Sequence, residues 1–301
     1  MQSSIVKTAH KQAQIFGVSL TGTSKVEVLR FVRNFLRSFD KLEDTKTPFF
    51  IVTPNPEQIL MTQEDQTMSK ILNSADVSLP DGIGLIHAIR FLSLPNCKIK
   101  LFRPFLLLFQ GLEVGLATFI ARDWLNDGFG VIKGREVFMA LIALANKKGW
   151  RVALLGDRFH SARLAQSALE VSYKQVRLFS FDGPNVNKEG EVVSGEDVRI
   201  EKEAVEGINK VRPHLLFVGF GAPKQEKWVN AHLSDLSVGG VMVVGKSFEW
   251  ISGHSKLTPE WMGKIGLEWL WRLLTGSTNL RRIWKAVIVF PWKVFVYKLG
   301  L

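Results

Sequence analysis

The residues of this sequence best suited to chemistry lie in turns that directly follow short apolar runs. Asp81 stands in Leu79-Pro-Asp-Gly-Ile-Gly84, where neighbouring glycines let a ligand approach the backbone closely. Gly219-Phe-Gly-Ala-Pro-Lys-Gln-Glu226 and Gly245-Lys-Ser-Phe-Glu249 each offer glycine N–H groups at a predicted helix start, where anions bind. Thr53-Pro-Asn-Pro-Glu57 adds a hydroxyl and an amide. These turns predict a site for a ligand that carries a diphosphate.

Each of these turns also has a purely structural interpretation. Asp81 is equally suited to capping the helix that follows it, and Gln225 and Glu226 suit a first helical turn, whose dipole they complement. A glycine between a strand and a helix is often only a turn residue. Residue types alone leave both interpretations open.

One stretch, Gly240-Val-Met-Val-Val-Gly-Lys-Ser247, matches the P-loop pattern letter for letter. In a P-loop the residues between the two glycines form the phosphate-binding loop. Here they are an apolar run typical of a strand, so we expect no P-loop. The sequence also lacks a dinucleotide fingerprint, an Asp-x-Asp motif and any metal-spaced His or Cys cluster. We therefore expect no metal and no cofactor, with diphosphate charge met by backbone N–H groups and by Lys or Arg.

Strands and helices alternate along the chain. This order is typical of an α/β fold with a mostly parallel sheet, in which ligands bind at the carboxyl ends of the strands. The predicted strands are Pro48–Thr53, the end of Ile71–Leu79, Gly149–Asp157, Val176–Phe181, Pro213–Gly219 and Gly240–Gly245. The predicted helices include Lys25–Phe39, Leu85–Leu92, Gly134–Lys148, Ser161–Glu170, Val198–Val211 and Lys224–Leu233.

Composition restricts the class of protein. The chain has 301 residues, 46% of them hydrophobic, which suffices for a substantial core. A single cysteine excludes an internal disulfide framework and favours a reducing, cytoplasmic setting. The net charge of +11 indicates an anionic partner, and its combination with frequent Trp and Phe favours a membrane surface over RNA.

Two apolar runs are the candidates for membrane-spanning segments. Leu101–Ala121 and Ala286–Leu301 both contain charged residues and a proline, and the second is also short. We expect neither to span a membrane, and the polar stretch Met1–Gln14 does not resemble a secretory signal. From Glu260 onward the chain is rich in Trp, Leu, Lys and Arg, which predicts an amphipathic helical tail.

Taken together, the turns resemble the motifs of the WecG/TagA/CpsF glycosyltransferases. The resemblance adds Gly134-Arg135 before a helix, Gly245-Lys-Ser-Phe-Glu-Trp-Ile-Ser-Gly253 and Gly266-Leu-Glu-Trp-Leu-Trp-Arg272, and it covers roughly residues 15–295. It implies an inverting, metal-independent enzyme with a Rossmann-like core. The donor it implies is a UDP-linked N-acetylmannosamine or related N-acetylhexosamine. The implied acceptor is polyprenyl-diphosphate-linked N-acetylglucosamine, in the synthesis of teichoic acid or other cell-surface polysaccharide.

The resemblance also assigns roles to residues. Asp81 matches the proposed general base of the family and Thr53 the threonine beside it, so both are expected to be catalytic. Residues expected to bind substrate are Asn55, Gly82, Gly84, Arg135, Gly156, Asp157, Gly219, Gly221, Ala222, Pro223, Gln225, Glu226, Gly245, Phe248, Glu249, Arg272, Arg281 and Arg282.

The resemblance divides the chain into a core, residues 1–255, and an appendage, residues 256–301. The appendage is expected to dock on an anionic membrane and to close over the site, which makes the protein peripheral on the cytoplasmic face. An ordinary packing helix is the alternative. No nucleic acid partner is expected, and a homo-oligomer stays open.

Two positions and one segment depart from the family pattern. Leu257 replaces a basic residue for which Lys256 is the nearest substitute, and Glu249 replaces an aspartate. The apolar insertion at 98–131 is longer than expected. It suggests a second membrane contact, a lid for a lipid tail, or an ordinary core helix.

A different class of function is also consistent with the charge. A non-catalytic, basic nucleotide- or RNA-binding α/β protein would bind through its surface, with an affinity that falls steeply with salt. A nucleotide-sugar dehydrogenase or epimerase is disfavoured by the missing dinucleotide fingerprint.

Overall fold

A computed structural model describes residues 11–40, 47–126, 128–157, 160–253, 258–264, 266–276 and 278–300. Its main sheet has six parallel strands in the order β4-β3-β8-β7-β5-β6. The predicted α/β, Rossmann-like fold is therefore confirmed. The strands are β3 (Phe49–Val52), β4 (Val77–Ser78), β5 (Arg151–Gly156), β6 (Arg177–Asp182), β7 (Leu215–Val218) and β8 (Gly240–Val243).

The inner strands β3, β7 and β8 are buried along their whole length because both faces of the sheet are covered there, whereas the edge strand β6 carries polar residues. Alternate residues point to opposite faces: Phe50 and Val52 join one buried cluster, whereas Phe49 and Ile51 join the other. The helices of the core are α1 (Lys25–Phe35), α2 (Pro56–Met61), α3 (Gln66–Ser74), α4 (Ile83–Ser93), α5 (Arg103–Ile120), α6 (Arg122–Asn126), α7 (Gly134–Lys148), α8 (Ser161–Ser172), α9 (Gly195–Val211), α10 (Lys224–His232) and α11 (Ser247–Ile251).

The neighbouring strands β5 and β7 send their helices to opposite faces of the sheet. Ala162 and Ala165 of α8, which follows β5, pack in one cluster, whereas Trp228 and Val229 of α10, which follows β7, pack in the other. Because β5 and β7 are adjacent, a crevice opens outside their carboxyl ends. The Gly156 and Gly219 turns lie at this crevice.

An N-terminal hairpin is an element that the sequence analysis does not predict. Strands β1 (Lys11–Ile15) and β2 (Val18–Gly22) pair antiparallel around Phe16-Gly17, where both residues have positive φ. The Ser19 N–H donates to Asn73 Oδ1 at 2.9 Å, which ties the hairpin to α3. The strands are short and β1 is largely exposed, so they lack the apolar run that marks the main sheet.

The C-terminal appendage is helical, as predicted. It contains α12 (Glu260–Lys264), α13 (Glu268–Leu274), α14 (Leu280–Trp284), a π-helical stretch (Lys285–Val289) and α15 (Phe290–Leu299), of which the last three form one continuous helix. The predicted boundary between core and appendage falls at residues 254–257, outside the described residues, as do Lys256 and Leu257.

Helix α5 occupies the apolar insertion. It has 18 residues and a mean hydropathy of 1.3, and among the described residues it is the one helix long and apolar enough to cross a membrane. Arg103 and Pro104 lie in its first turn, so they do not interrupt the apolar run as the sequence analysis supposes. Only 28% of the helix is buried, which rules out an ordinary core helix.

Candidate active site

Asp81 lies between the ends of β3 and β4. Its N–H donates to the carbonyl oxygen of Pro54 at 2.9 Å, which joins the two strand-end turns. The residue that caps α4 is Gly82, with φ of 105° and no side-chain hydrogen bond. The capping interpretation of Asp81 is therefore wrong, and its carboxyl group is available for another role.

Gly134 brings the start of α7 up to this turn. Its backbone lies close enough to the Asp81 carboxyl group to lower the pKa of that group, against the effect of burial. A Cβ at Gly134 would lie 2.8 Å from Thr53 Oγ1, so only glycine permits this approach. Thr53 and Asp81 are thus brought to the same glycine, as the sequence analysis expects of a shared site.

The appendage places charged side chains near Asp81. Glu268 of α13 accepts from Arg272 at 2.7 Å and Arg135 at 3.0 Å, and Lys133 lies 3.1 Å away. Burial opposes ionisation of Glu268, but the three cations outweigh it and lower its pKa to about 2. The carboxylate therefore holds α13 against the start of α7.

The pKa of Asp81 is raised to about 6. The largest cause is burial of the carboxyl group, and the negative charge of Glu268 adds to it. Arg272 and Arg135 act in the opposite direction. Asp81 thus titrates close to neutral pH inside a cluster that contains both cations and a second carboxylate, as a proton acceptor requires.

Gln225 joins two of the glycine turns. Its Oε1 accepts from the Gly221 N–H at 3.2 Å and from the Gly245 N–H at 3.0 Å. These N–H groups were expected to bind a diphosphate, but they are used inside the protein. Gly221 and Gly245 have positive φ, of 80° and 55°, so the turns depend on glycine.

Glu226 continues this network below the surface. Its Oε1 accepts from Gln225 Nε2 at 2.9 Å and from Gln58 Nε2 at 2.8 Å, and Gln58 also makes a capping box with Asn55. Glu226 is 1% exposed. Gln225 and Glu226 are therefore buried connectors between strand ends, not residues that complement the dipole of α10.

Burial raises the pKa of Glu226 from an ordinary value of 4.5 to about 7, against the opposing hydrogen bonds from Gln225 and Gln58. The folded protein then keeps a proton that the unfolded chain loses above pH 4.5. The free energy of unfolding should fall as pH rises from about 4.5 to about 7, by on the order of 3 kcal/mol from this group.

Glu226→Gln keeps both accepted hydrogen bonds and cannot ionise. We expect the variant to gain stability relative to the wild type between pH 5 and 8, as measured by urea unfolding at each pH. Glu189→Gln, at an exposed carboxylate, is the matched control and should show no such trend. A pH-independent difference for Glu226→Gln would contradict a protonated buried Glu226.

At the β5–β7 crevice, Gly156 allows a close approach of α8. A Cβ there would lie 2.7 Å from the Ala162 nitrogen, and the Asp157 N–H donates to Ser161 Oγ at 3.4 Å. An open cavity of about 430 Å³ lies beside it, lined by His160, Arg163, Ser180, Phe181, Asp182, Gly183, Ile200, Glu203 and Ala204.

Several residues predicted to bind substrate have other partners. The Phe248 ring is 1% exposed and packs against Phe138, so it belongs to the core and its side chain does not face a ligand. Arg282 Nε donates to Glu57 Oε2 at 2.7 Å, which fastens the appendage to the Thr53–Glu57 turn. Arg281 is exposed.

The remaining residues that were predicted to bind substrate lie in turns or at helix starts. Asn55 caps α2, and Glu249 lies 3.6 Å from Lys246. Gly84 faces the Pro56 ring, and a Cβ at this position would lie 3.2 Å from that ring. Ala222 and Pro223 are joined by a cis peptide bond just before α10.

The residues between Gly240 and Gly245 form strand β8 and its end, so the P-loop match is a coincidence, as predicted. In the described part of the chain, no three His, Cys, Asp or Glu side chains are grouped to hold a metal ion. The metal-free site stays a prediction. His87 makes a hydrogen bond with Thr118 Oγ1 at 2.7 Å, which links α4 to α5.

Glu268, Lys133 and Gln58 belong to the site but are not predicted from the sequence. Glu268 lies inside the Gly266–Arg272 motif, but the motif does not indicate which residues Glu268 contacts. Gln58 lies three residues after Asn55, which is the spacing of a capping box. Its hydrogen bond to Glu226 joins residues 168 positions apart in the sequence, which no local pattern indicates.

The family model of the WecG/TagA/CpsF glycosyl transferases matches residues 13–110 and 115–301. The chain belongs to this family. It is similar to the N-acetylglucosaminyldiphosphoundecaprenol N-acetyl-beta-D-mannosaminyltransferases of Staphylococcus aureus strains NCTC 8325 / PS 47, COL and MRSA252. Each is 24% identical over 283 residues, which cover 94% of this chain and 92% of the relative. Membership in the WecG/TagA/CpsF family identifies the protein as a glycosyltransferase.

Proposed function

We propose that the protein transfers an N-acetylhexosamine, similar to N-acetylmannosamine, from a UDP-sugar to polyprenyl-diphosphate-linked N-acetylglucosamine, with inversion at the anomeric carbon. The observation that carries the proposal is the position of Asp81, a carboxyl group with a pKa of about 6 beside two arginines and at the edge of the sheet where ligands bind. The nature of both substrates follows the names of the relatives and the family resemblance.

Asp81 accepts the proton of the acceptor hydroxyl group. The hydroxyl oxygen forms a bond to the anomeric carbon as the bond from that carbon to the diphosphate oxygen of UDP breaks. A single displacement of this kind inverts the configuration. Thr53, packed against Gly134 beside Asp81, is placed to orient the acceptor.

The leaving UDP gathers negative charge. The N–H groups of Gly221 and Gly245 are bonded to Gln225, so we assign the charge to Arg272 and Arg135 instead. Guanidinium groups suit a diphosphate because they offer paired donors in one plane. Lys133, Arg135 and Arg272 share the single negative charge of Glu268, so Glu268 does not fully neutralise either arginine.

The exposed aromatic residues of the appendage favour an acceptor that is held at a membrane. Trp261, Trp284 and Trp292 are each 60% exposed or more, and this aromatic surface accompanies a net charge of +11. Tryptophan with basic residues suits the headgroup layer of an anionic bilayer. We therefore propose a peripheral position on the membrane, and the single cysteine favours its cytoplasmic face.

A nucleotide screen tests the donor. We expect UDP to raise the thermal midpoint clearly more than ATP at equal concentration, because a ligand that binds only the folded state stabilises it. Mass spectrometry with several UDP-N-acetylhexosamines and a short-chain lipid-diphosphate acceptor then reports the transfer product. Equal response to all nucleotides, lost at high salt, would favour the basic nucleotide- or RNA-binding alternative.

A further inference from the structure

The outer face of α5 is a continuous row of large apolar side chains. The row recurs every three or four residues, so that its members lie on one side of the helix. Glu113, the one charged residue in the middle of α5, is offset by about 100° from Leu112 and lies at the border of this face. Each member of the row is more than half exposed: Phe105, Leu108, Phe109, Leu112, Leu116, Phe119 and Ile120.

The opposite face fixes α5 to the body of the protein. Leu107, Val114 and Ala117 are buried in the core, and Thr118 bonds His87 of α4 at 2.7 Å. Gln110 Oε1 accepts from Lys298 Nζ of α15 at 2.8 Å. The apolar row is therefore held outward by a rigid support and cannot be covered by rotation of the helix.

We propose that this face of α5 docks in the acyl region of an anionic lipid bilayer, with the helix in the plane of the membrane. Hydrocarbon is the occupant that fits, because the row contains no hydrogen-bonding side chain. A protein partner would ordinarily exchange about one hydrogen bond per 100–200 Å² of interface. Lys98 and Lys100, both exposed, lie just before the helix, where they reach anionic headgroups.

The neighbouring helix continues the same surface. Arg103 Nη1 of α5 donates to the carbonyl oxygen of Leu299 at 3.1 Å, so α15 ends beside the start of α5. Exposed Trp292, Lys293 and Tyr297 of α15 are residue types that sit at the boundary between acyl chains and headgroups. Membrane contact by α5 thus extends the contact proposed for the appendage.

The end of α5 lies beside the active site. A Cβ at Gly266, two positions before Glu268, would be 3.9 Å from Thr118 Cγ2 and 3.7 Å from Ile83 Cγ2. A docked α5 therefore sets the height of the Asp81 cluster above the leaflet, where the diphosphate of a lipid-linked acceptor emerges. This step, unlike the docking itself, rests on the proposed function.

Flotation of the full chain on vesicles tests the docking without any assay of activity. We expect binding to vesicles of equal parts phosphatidylglycerol and phosphatidylcholine, and weaker binding to phosphatidylcholine alone. The variant Phe109→Glu with Leu116→Glu should bind about tenfold less or weaker still, because charge in the acyl region is costly. The matched control, Leu164→Glu with Val171→Glu, changes two exposed apolar residues of α8 and should float like the wild type.

Wild-type flotation of the α5 variant, with unchanged circular dichroism, would overturn the proposal. So would a wild-type dimer that the α5 variant converts to a monomer without loss of flotation, since the row would then be a subunit interface. Insertion is read directly by an environment-sensitive fluorophore at Leu112→Cys in a Cys97→Ser background, which should shift to the blue on vesicles. The same label at Val171→Cys should not shift. A wild type that floats on vesicles but transfers no sugar in the mass-spectrometric assay would count against the proposed function alone.

Discussion

Asp81→Asn should lower the rate of sugar transfer by about 10²- to 10⁴-fold, the usual contribution of a general base. Asparagine has the same shape but cannot accept the proton of the acceptor hydroxyl group. UDP-sugar binding should change little, because the diphosphate is assigned to Arg272 and Arg135. Initial rates by mass spectrometry and donor affinity by calorimetry separate the two effects, and Asp123→Asn, at an exposed carboxylate, is the matched control.

The pH profile of the wild type tests the same assignment independently. A base must be ionised, and burial with the charge of Glu268 raises the pKa of Asp81 to about 6. We therefore expect activity to rise with pH through an acid limb near pH 6. An Asp81→Asn variant with wild-type rates, or a wild type with no acid limb above pH 5, would refute Asp81 as the base.

Arg272→Gln should slow transfer by about 10²- to 10³-fold, the cost of removing one donor to charge that develops in a transition state. It should also shift the acid limb to higher pH, because Arg272 lowers the pKa of Asp81. Glu268→Gln should shift the limb to lower pH, because Glu268 raises that pKa. Opposite shifts from two residues that bond each other cannot come from a general loss of folding.

The measurement is a rate profile between pH 4.5 and 8 for each variant, with thermal midpoints to confirm folding. Arg199→Gln removes an exposed arginine that pairs with Glu203 on α9 and is the control for loss of one cation. Shifts in the same direction for both variants would show that Arg272 and Glu268 do not act through the charge of Asp81.

The sequence predicts the main sheet well because buried parallel strands are short apolar runs with few alternatives. Phe49–Val52 and Leu215–Val218 lie within the predicted runs, since both faces of each strand must be apolar. The hairpin at Lys11–Ile15 escapes prediction because its outer strand is largely exposed and carries no such pattern.

The site is predicted in part. Asp81 and Thr53 are predicted to lie close together because both follow strands whose ends share one edge of the sheet, whereas Arg135 is added only by the family resemblance. The motifs do not reveal that Gln225 occupies the N–H groups of Gly221 and Gly245, because such a bond depends on two turns 20 positions apart meeting in space. For the same reason, the burial of Phe248 under Gly219 is visible only in the fold.

During biosynthesis, Lys298 can bond Gln110 only after most of the chain has been made. Its partner Gln110 on α5 leaves the ribosome 188 residues before the lysine does, and its partner Phe91 on α4 leaves 207 residues before it. At about 5–20 residues per second, that interval lasts on the order of 10–40 s. Throughout it, Phe91 and the inner side of α5 have no C-terminal helix to cover them. The nascent chain therefore exposes an apolar surface for longer than most folding steps take, and we expect it to need a chaperone or early contact with the bilayer until α15 has been synthesised.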